Sequence, residues 1–199
     1  MIQLVGPGGA GKSTAGAALA QRLGVSFVDM DAEFVASNGD ISAYLATHGY
    51  DGYAEQNVDL YSALVGEPGR PDVVVALSSG FMTYGGDIYA GHVRLRRRIA
   101  SSESTVVLLP SLDLETCVAG IVRRQLRRPF ARGAEREEYV IRKRFPIYVS
   151  LPARKLETMR PVDAVVAELL TMVAAQQAAA PDGTGPLSRA RARCIVTRR

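Results

Sequence analysis

Short apolar runs alternate with longer stretches in which apolar residues return every three or four positions. Ile2 to Val5 is the first such run and stops at Gly6-Pro7-Gly8-Gly9. Small and apolar residues then recur at helical spacing from Ser13 to Leu23. Val25 to Asp29 follows Gly24 directly, so the opening predicts strand, glycine loop, helix and second strand in a unit of about 30 residues, the usual size of a β-loop-α-β motif. Residues 31–64 read as helical segments interrupted near Asn38-Gly39 and His48-Gly49, with Tyr44, Leu45, Tyr53, Leu60, Tyr61 and Leu64 spaced for packing. Gly66 to Pro71 reads as a turn. Val73 to Leu77 and Thr105 to Leu109 are uninterrupted apolar runs, the pattern of strands covered on both faces. Helices are predicted over Leu112 to Leu126, Glu135 to Tyr148 and Val162 to Ala175. Strands and helices in alternation predict a three-layer α/β domain around a parallel sheet.

From about Gln176 the composition changes to Ala, Gly, Pro and Arg, so residues 176–199 read as a disordered basic tail on a domain of residues 1–175. At 199 residues, 47% apolar and 22% charged, the chain has the composition of one ordinary globular domain, and it has no internal repeat. It has no apolar run of membrane-spanning length and begins without a basic n-region, which predicts a cytoplasmic protein without a membrane partner. Cys117 and Cys194 are far apart and without a CxxC or paired histidines, which predicts reduced thiols rather than a disulfide framework or zinc site. The formal charge of +4 resides in the tail, where five arginines outnumber a single acid after Pro181. Within the body, residues 1–90 hold three bases against ten acids, whereas residues 123–144 hold nine bases against three glutamates. A local cationic segment beside an acidic half suits a bound nucleotide better than a nucleic-acid surface, so no nucleic-acid partner is expected.

Gly6-Pro7-Gly8-Gly9-Ala10-Gly11-Lys12-Ser13 matches G-x-x-x-x-G-K-[ST], between a predicted strand and a predicted helix. Glycines let the backbone curl so that successive amides point inward, and the helix N-terminus adds positive potential. Lys12 reaches the β and γ phosphates, and the Ser13 hydroxyl can ligate Mg²⁺. Gly8, Gly9, Ala10, Gly11, Lys12, Ser13 and Thr14 are therefore the candidate nucleotide-binding positions.

Three further segments in register behind this loop resemble the shikimate kinase family. Phe27-Val28-Asp29-Met30-Asp31 resembles its F-x-D-x-D, Arg128-Pro129-Phe130 its lid R-P-L, and Lys143-Arg144-Phe145-Pro146-Ile147-Tyr148 its R-x-P-x-Y. The resemblance covers residues 1 to about 175. It implies a five-stranded parallel sheet with helices on both faces, a small lid at about 123–135, ATP and Mg²⁺ as cofactors, and a monomer acting on a small molecule. It implies that Asp29 contacts Mg²⁺ through water, that Asp31 binds the acceptor hydroxyl, that Arg128 closes over the transferring group, that Arg124 stacks on adenine and that Arg144 meets an anionic group of the substrate. Lys12, Asp31 and Arg128 are the candidate catalytic residues, and Asp31, Tyr53, Ser78, Ser79, Gly80 and Arg144 the candidate substrate site.

Two departures bear on the acceptor. The family's F-R-x-x-E is here Tyr53-Ala54-Glu55-Gln56-Asn57, so an arginine and its glutamate partner are missing together. Its glycine triplet is Ser78-Ser79-Gly80, which leads to the expectation that two hydroxymethyl groups project into the pocket as extra donors. The expected activity is transfer of the γ-phosphate of ATP to a hydroxyl of shikimate or a shikimate-like acid. A sugar acid, cyclitol or antibiotic hydroxyl is the alternative acceptor, and an inactive nucleotide-binding regulator the alternative class. His48 and His92 are expected to be surface or packing residues.

Overall fold

The computed structural model describes residues 1–66, 72–85, 88, 91–127 and 133–179. Five strands, β1 (Ile2–Val5), β2 (Ser26–Asp29), β3 (Val73–Ala76), β4 (Thr105–Leu109) and β5 (Arg154–Glu157), form one sheet in the order β2-β3-β1-β4-β5. Every neighbouring pair is parallel. The helices are α1 (Lys12–Leu23), α2 (Met30–Asn38), α3 (Ile41–Gly66), α4 (His92–Ser101), α5 (Leu114–Gln125), α6 (Ala134–Ser150) and α7 (Val162–Ala179).

Side chains alternate across the sheet because a strand has a period of two. Ile2, Leu4, Val74, Val106 and Leu108 pack with Leu19 of α1 and with Val165 and Leu169 of α7. Val5, Val73, Val75, Val107 and Leu109 face the opposite layer, with Phe34, Val58, Tyr61, Cys117, Ile141 and Tyr148. β1, β3 and β4 are wholly buried, as their unbroken apolar runs require. Because all strands are parallel, their carboxyl ends gather at one edge, where ligands bind in open α/β sheets.

The strands at 2–5 and 105–109 coincide with expectation, and most other predicted elements shift by a residue or two at their ends. The expected breaks fall at Gly39, between α2 and α3, and inside α3 at Gly49, whose φ of 70° and ψ of −179° a side chain would resist. Elements not foreseen are α4, β5 and a 3₁₀ turn at Phe81–Thr83. The helix expected to end at Ala175 continues to Ala179 in α7, and Gln176 is buried, its Nε2 donating to the Glu103 carbonyl. That contact docks the end of α7 on the loop before β4. The rest of the expected tail, Cys194 included, lies outside the described residues, as do 67–71 of the expected turn and 128–132 of the expected lid. Within the lid range, 123–125 belong to α5 and 134–135 to α6. Cys117 is a buried free thiol whose pKa burial pushes up. His92 is fully buried in the described core. No helix among the described residues is long and apolar enough to cross a membrane.

Candidate active site

The loop from β1 to α1 is shaped by close approach. Gly6 has φ 149°, and a Cβ there would lie 2.3 Å from the Leu108 carbonyl oxygen, so no other residue fits without moving β4. The loop then curls through Gly9 (φ 77°) and Gly11 (φ 91°), with Ala10 fully buried beneath it. Lys12, also buried, extends Nζ back along the loop and donates to the carbonyls of Gly6 (2.8 Å) and Pro7 (3.0 Å). Ser13 and Thr14 are exposed in the first turn of α1. A cleft of about 310 Å³ opens beside the loop, lined by Gly9, Gly11, Thr14, Arg124, Val162 and Val165.

Arg124 is fixed by three hydrogen bonds: Nη1 to the Gly9 carbonyl (3.0 Å) and the Thr158 hydroxyl (3.0 Å), Nη2 to the Thr158 carbonyl (2.6 Å). Partial burial, with Arg123 nearby, lowers its pKa from the usual arginine value. Thr158 in turn donates its hydroxyl to the Ala10 carbonyl at 2.9 Å, tying the end of β5 to the phosphate loop. Thr158 is a site residue that sequence reasoning missed, because its position is meaningful only once β5 is known.

On the other side, Asp29 caps α2: its Oδ1 accepts the Asp31 backbone N–H at 3.0 Å. Asp31 therefore sits in the first helical turn at the end of β2, and the Tyr53 hydroxyl donates to its Oδ1 at 3.5 Å. Burial, followed by the Asp31 charge, pushes Tyr53 up to about 12. The serines behave differently from one another. Ser78 is buried and donates its hydroxyl to Asn57 Oδ1 at 2.5 Å, while Asn57 Nδ2 donates to the Tyr53 carbonyl at 2.8 Å. The expectation of a free Ser78 donor in the pocket is thus corrected: its proton is engaged by the residue that stands at the family's glutamate position. The two departures thus meet in one hydrogen bond.

Ser79 presents its backbone carbonyl to two donors from α6, Tyr148 Oη at 2.8 Å and Arg144 Nη1 at 3.3 Å. Arg144 and Tyr148 are one turn apart and so share a helix face. A Cβ on Gly8 of the phosphate loop would lie 3.8 Å from the Ser79 Cβ, so this loop adjoins the nucleotide side. Gly80 is crowded: a Cβ there would meet Tyr50 Oη at 2.8 Å, Tyr84 Cε1 at 2.8 Å and Arg144 Nη2 at 3.3 Å. Tyr50, Tyr84 and Tyr148 were not foreseen as a group, since 98 residues separate the first from the last. Burial raises the pKa of Tyr84 and Tyr148 above the ordinary phenol value, so both are neutral near pH 7.

Asp31, Tyr53, Ser78, Ser79, Gly80 and Arg144 thus gather at the carboxyl ends of β2 and β3, with Lys12, Ser13 and Thr14 at the end of β1 and Arg124 across the cleft. The candidate lid arginine, Arg128, lies outside the described residues.

A parallel sheet with a glycine loop and lysine at the end of its first strand defines a nucleotide-binding protein of the P-loop class. A family model for shikimate kinase matches residues 8–174. The shikimate kinase of Nitratidesulfovibrio vulgaris is 30% identical over 179 residues, covering 87% of this chain and 95% of that one. That of Paramagnetospirillum magneticum is 35% identical over 150 residues, 74% of this chain and 70% of the other. In structure, a shikimate kinase from Acinetobacter baumannii in complex with shikimate superposes with a TM-score of 0.67 at 24% identity, covering 87% of this chain and 92% of that one. The chain belongs to the shikimate kinase family.

Proposed function

We propose that the protein transfers the γ-phosphate of ATP to a ring hydroxyl of shikimate. The observation that supports this best is the adjacency of the two half-sites: the Ser79 loop, which carries Arg144 and Tyr148 on its carbonyl, abuts Gly8 of the phosphate loop. The donor set fits the cofactors. The cleft beside Gly9, Thr14 and Arg124 is large enough for part of a nucleotide, and the Ser13 hydroxyl and Asp29 carboxylate are hard oxygen donors of the kind Mg²⁺ takes with several waters. When bound, Mg²⁺-ATP supplies the phosphoryl group and neutralises part of its charge.

The residues of the chain then divide the work. The loop amides and Lys12 receive the phosphates, Lys12 exchanging the Gly6 and Pro7 carbonyls for phosphate oxygens. Arg124, pinned by Thr158 and Gly9, packs against the base. Asp31 holds the acceptor hydroxyl in line, which matters more than basicity if the transition state is loose. Tyr53 holds Asp31, and Arg144 receives the acceptor's carboxylate as a permanently charged fork. Arg128 is the proposed closing arginine. The domain is proposed to span residues 1–175, extended by the last turn of α7, and to act as a cytoplasmic monomer on a small molecule.

The test is coupled ADP release with shikimate and a panel of other hydroxy acids, using wild type and Asp31→Asn. Shikimate-dependent turnover that falls at least about 100-fold in the variant, the usual scale for groups acting in the transition state, with ATP affinity unchanged, is the expected result. Turnover with another acid and none with shikimate would overturn the reading.

A further inference from the structure

Arg144 carries a permanent positive charge into the acceptor side of the site, yet among the described residues its polar contacts are neutral oxygens: the Ser79 carbonyl and the Tyr50 hydroxyl. A cation half-buried against neutral acceptors retains the capacity to bind an anion. The contact with Tyr50 has a direction. A guanidinium has donors and no acceptor, so at 3.1 Å Nη2 donates and Tyr50 Oη accepts. The phenol keeps its own proton for another partner. A hydroxyl that accepts from a cation is polarised by it and is the stronger donor toward a negative group.

Local structure places the two donors together. Tyr50 follows the helical break at Gly49, and its ring rests against Tyr53 (6.2 Å) and edge-on to Tyr84 (5.7 Å). Beneath the pair is Gly80, where a Cβ would come within 2.8 Å of Tyr50 Oη and 3.3 Å of Arg144 Nη2, so the approach depends on bare backbone. Tyr50 is 43% exposed, which leaves its hydroxyl reachable. Position 54, one turn further along α3, contributes only the buried methyl group of Ala54.

We propose that Tyr50 is a specificity-determining residue that donates its phenolic hydrogen to the carboxylate of the acceptor beside Arg144, so that a phenol and a guanidinium from two elements form the anion clamp. This deepens the proposed function and rests on it: the acceptor is a monocarboxylate whose two oxygens meet one charged and one neutral donor.

Tyr50→Phe removes the hydroxyl and retains the ring that packs on Tyr53 and Tyr84. Steady-state kinetics are measured for wild type and variant with shikimate and with its uncharged carboxamide. The expected result is a rise in KM for shikimate of about tenfold, equivalent to about 1.4 kcal/mol. kcat and the KM for ATP are unchanged, and the effect on the carboxamide is several times smaller. KM values and the ratio between the two acceptors do not depend on the folded fraction of a preparation, so a less stable variant still reports. An unchanged KM overturns the proposal, and so does a lowered one, which would mean that Tyr50 competes with substrate for Arg144. An equal effect on both acceptors shows only a packing role and overturns it too. In each case wild-type turnover leaves the kinase reading standing. Absence of wild-type turnover with shikimate overturns that reading and this inference with it.

Discussion

The Ser78–Asn57 pair makes a quantitative prediction. Ser78 Oγ donates to Asn57 Oδ1 at 2.5 Å, Asn57 Nδ2 donates to the Tyr53 carbonyl at 2.8 Å, and both side chains are buried. Ser78→Ala deletes the donor and leaves an amide oxygen unpartnered in the interior, which costs about 2 kcal/mol. For a domain of this size that is a fall in Tm of about 4–8 °C. Asn57→Ala breaks both hydrogen bonds and opens a small void, for about 3 kcal/mol. In the double variant neither orphaned group remains, so its loss should be smaller than the sum of the singles by about 1–2 kcal/mol. Urea unfolding of the four proteins measures this directly. Additivity within about 0.5 kcal/mol would refute the coupling. The same geometry sets the route back to the family pattern. Asn57→Glu alone brings an unpaired carboxylate against Ser78, at a cost of about 3–5 kcal/mol, so Ala54→Arg and Ser78→Gly must accompany it.

Gly80→Ala should raise the acceptor KM by tenfold or more, about 1.4 kcal/mol, because its Cβ would press on Tyr50 Oη and Tyr84 Cε1 at 2.8 Å; an unchanged KM places the acceptor elsewhere. Burial holds Tyr53 and Tyr61 up to about 12 in the folded protein, whereas phenols in the unfolded chain ionise near 10. The folded state therefore binds more protons above that pH, and stability falls by about 1.4 kcal/mol per tyrosine per pH unit as pH rises toward the folded values. Denaturation free energies that stay level from about pH 9 to 11 would contradict this. Gln176→Ala should lower Tm by about 2–4 °C, the equivalent of about 1 kcal/mol for the lost contact with the Glu103 carbonyl. An unchanged Tm would show that the last turn of α7 does not dock.

The parts legible in the sequence are those where one physical demand acts alone. β1, β3 and β4 must be apolar on both faces, and the phosphate loop must be glycine-rich to pass Leu108. β5 was illegible because it lies at the sheet edge: in Arg154-Lys155-Leu156-Glu157 only Leu156 is buried, too little to form a pattern. α4 is hidden for a related reason, since Ile99 and Ala100 are its buried apolar residues among four arginines. At the site, Lys12, Asp31 and Arg144 were named from local motifs. The partners that position them come from distant segments: Thr158 for Arg124, Asn57 for Ser78, Tyr50 for Arg144. Such pairings have no short-range signature, and the free Ser78 hydroxyl expected from the sequence was the direct casualty.

The shared carbonyl of Ser79 has a mechanical consequence. An oxygen with two lone pairs holds two donors from the same face of α6, and they differ in kind: Tyr148 is fully buried and close at 2.8 Å, Arg144 partly exposed and more distant at 3.3 Å. When Arg144 turns toward an incoming anion, the carbonyl is not orphaned, because Tyr148 stays. The loop and the helix would remain latched by Tyr148 if the cation beside it turned away. Redundancy at a single backbone atom thus separates anchoring from reach: the residue proposed to meet the acceptor is not the one holding the wall of the pocket in place.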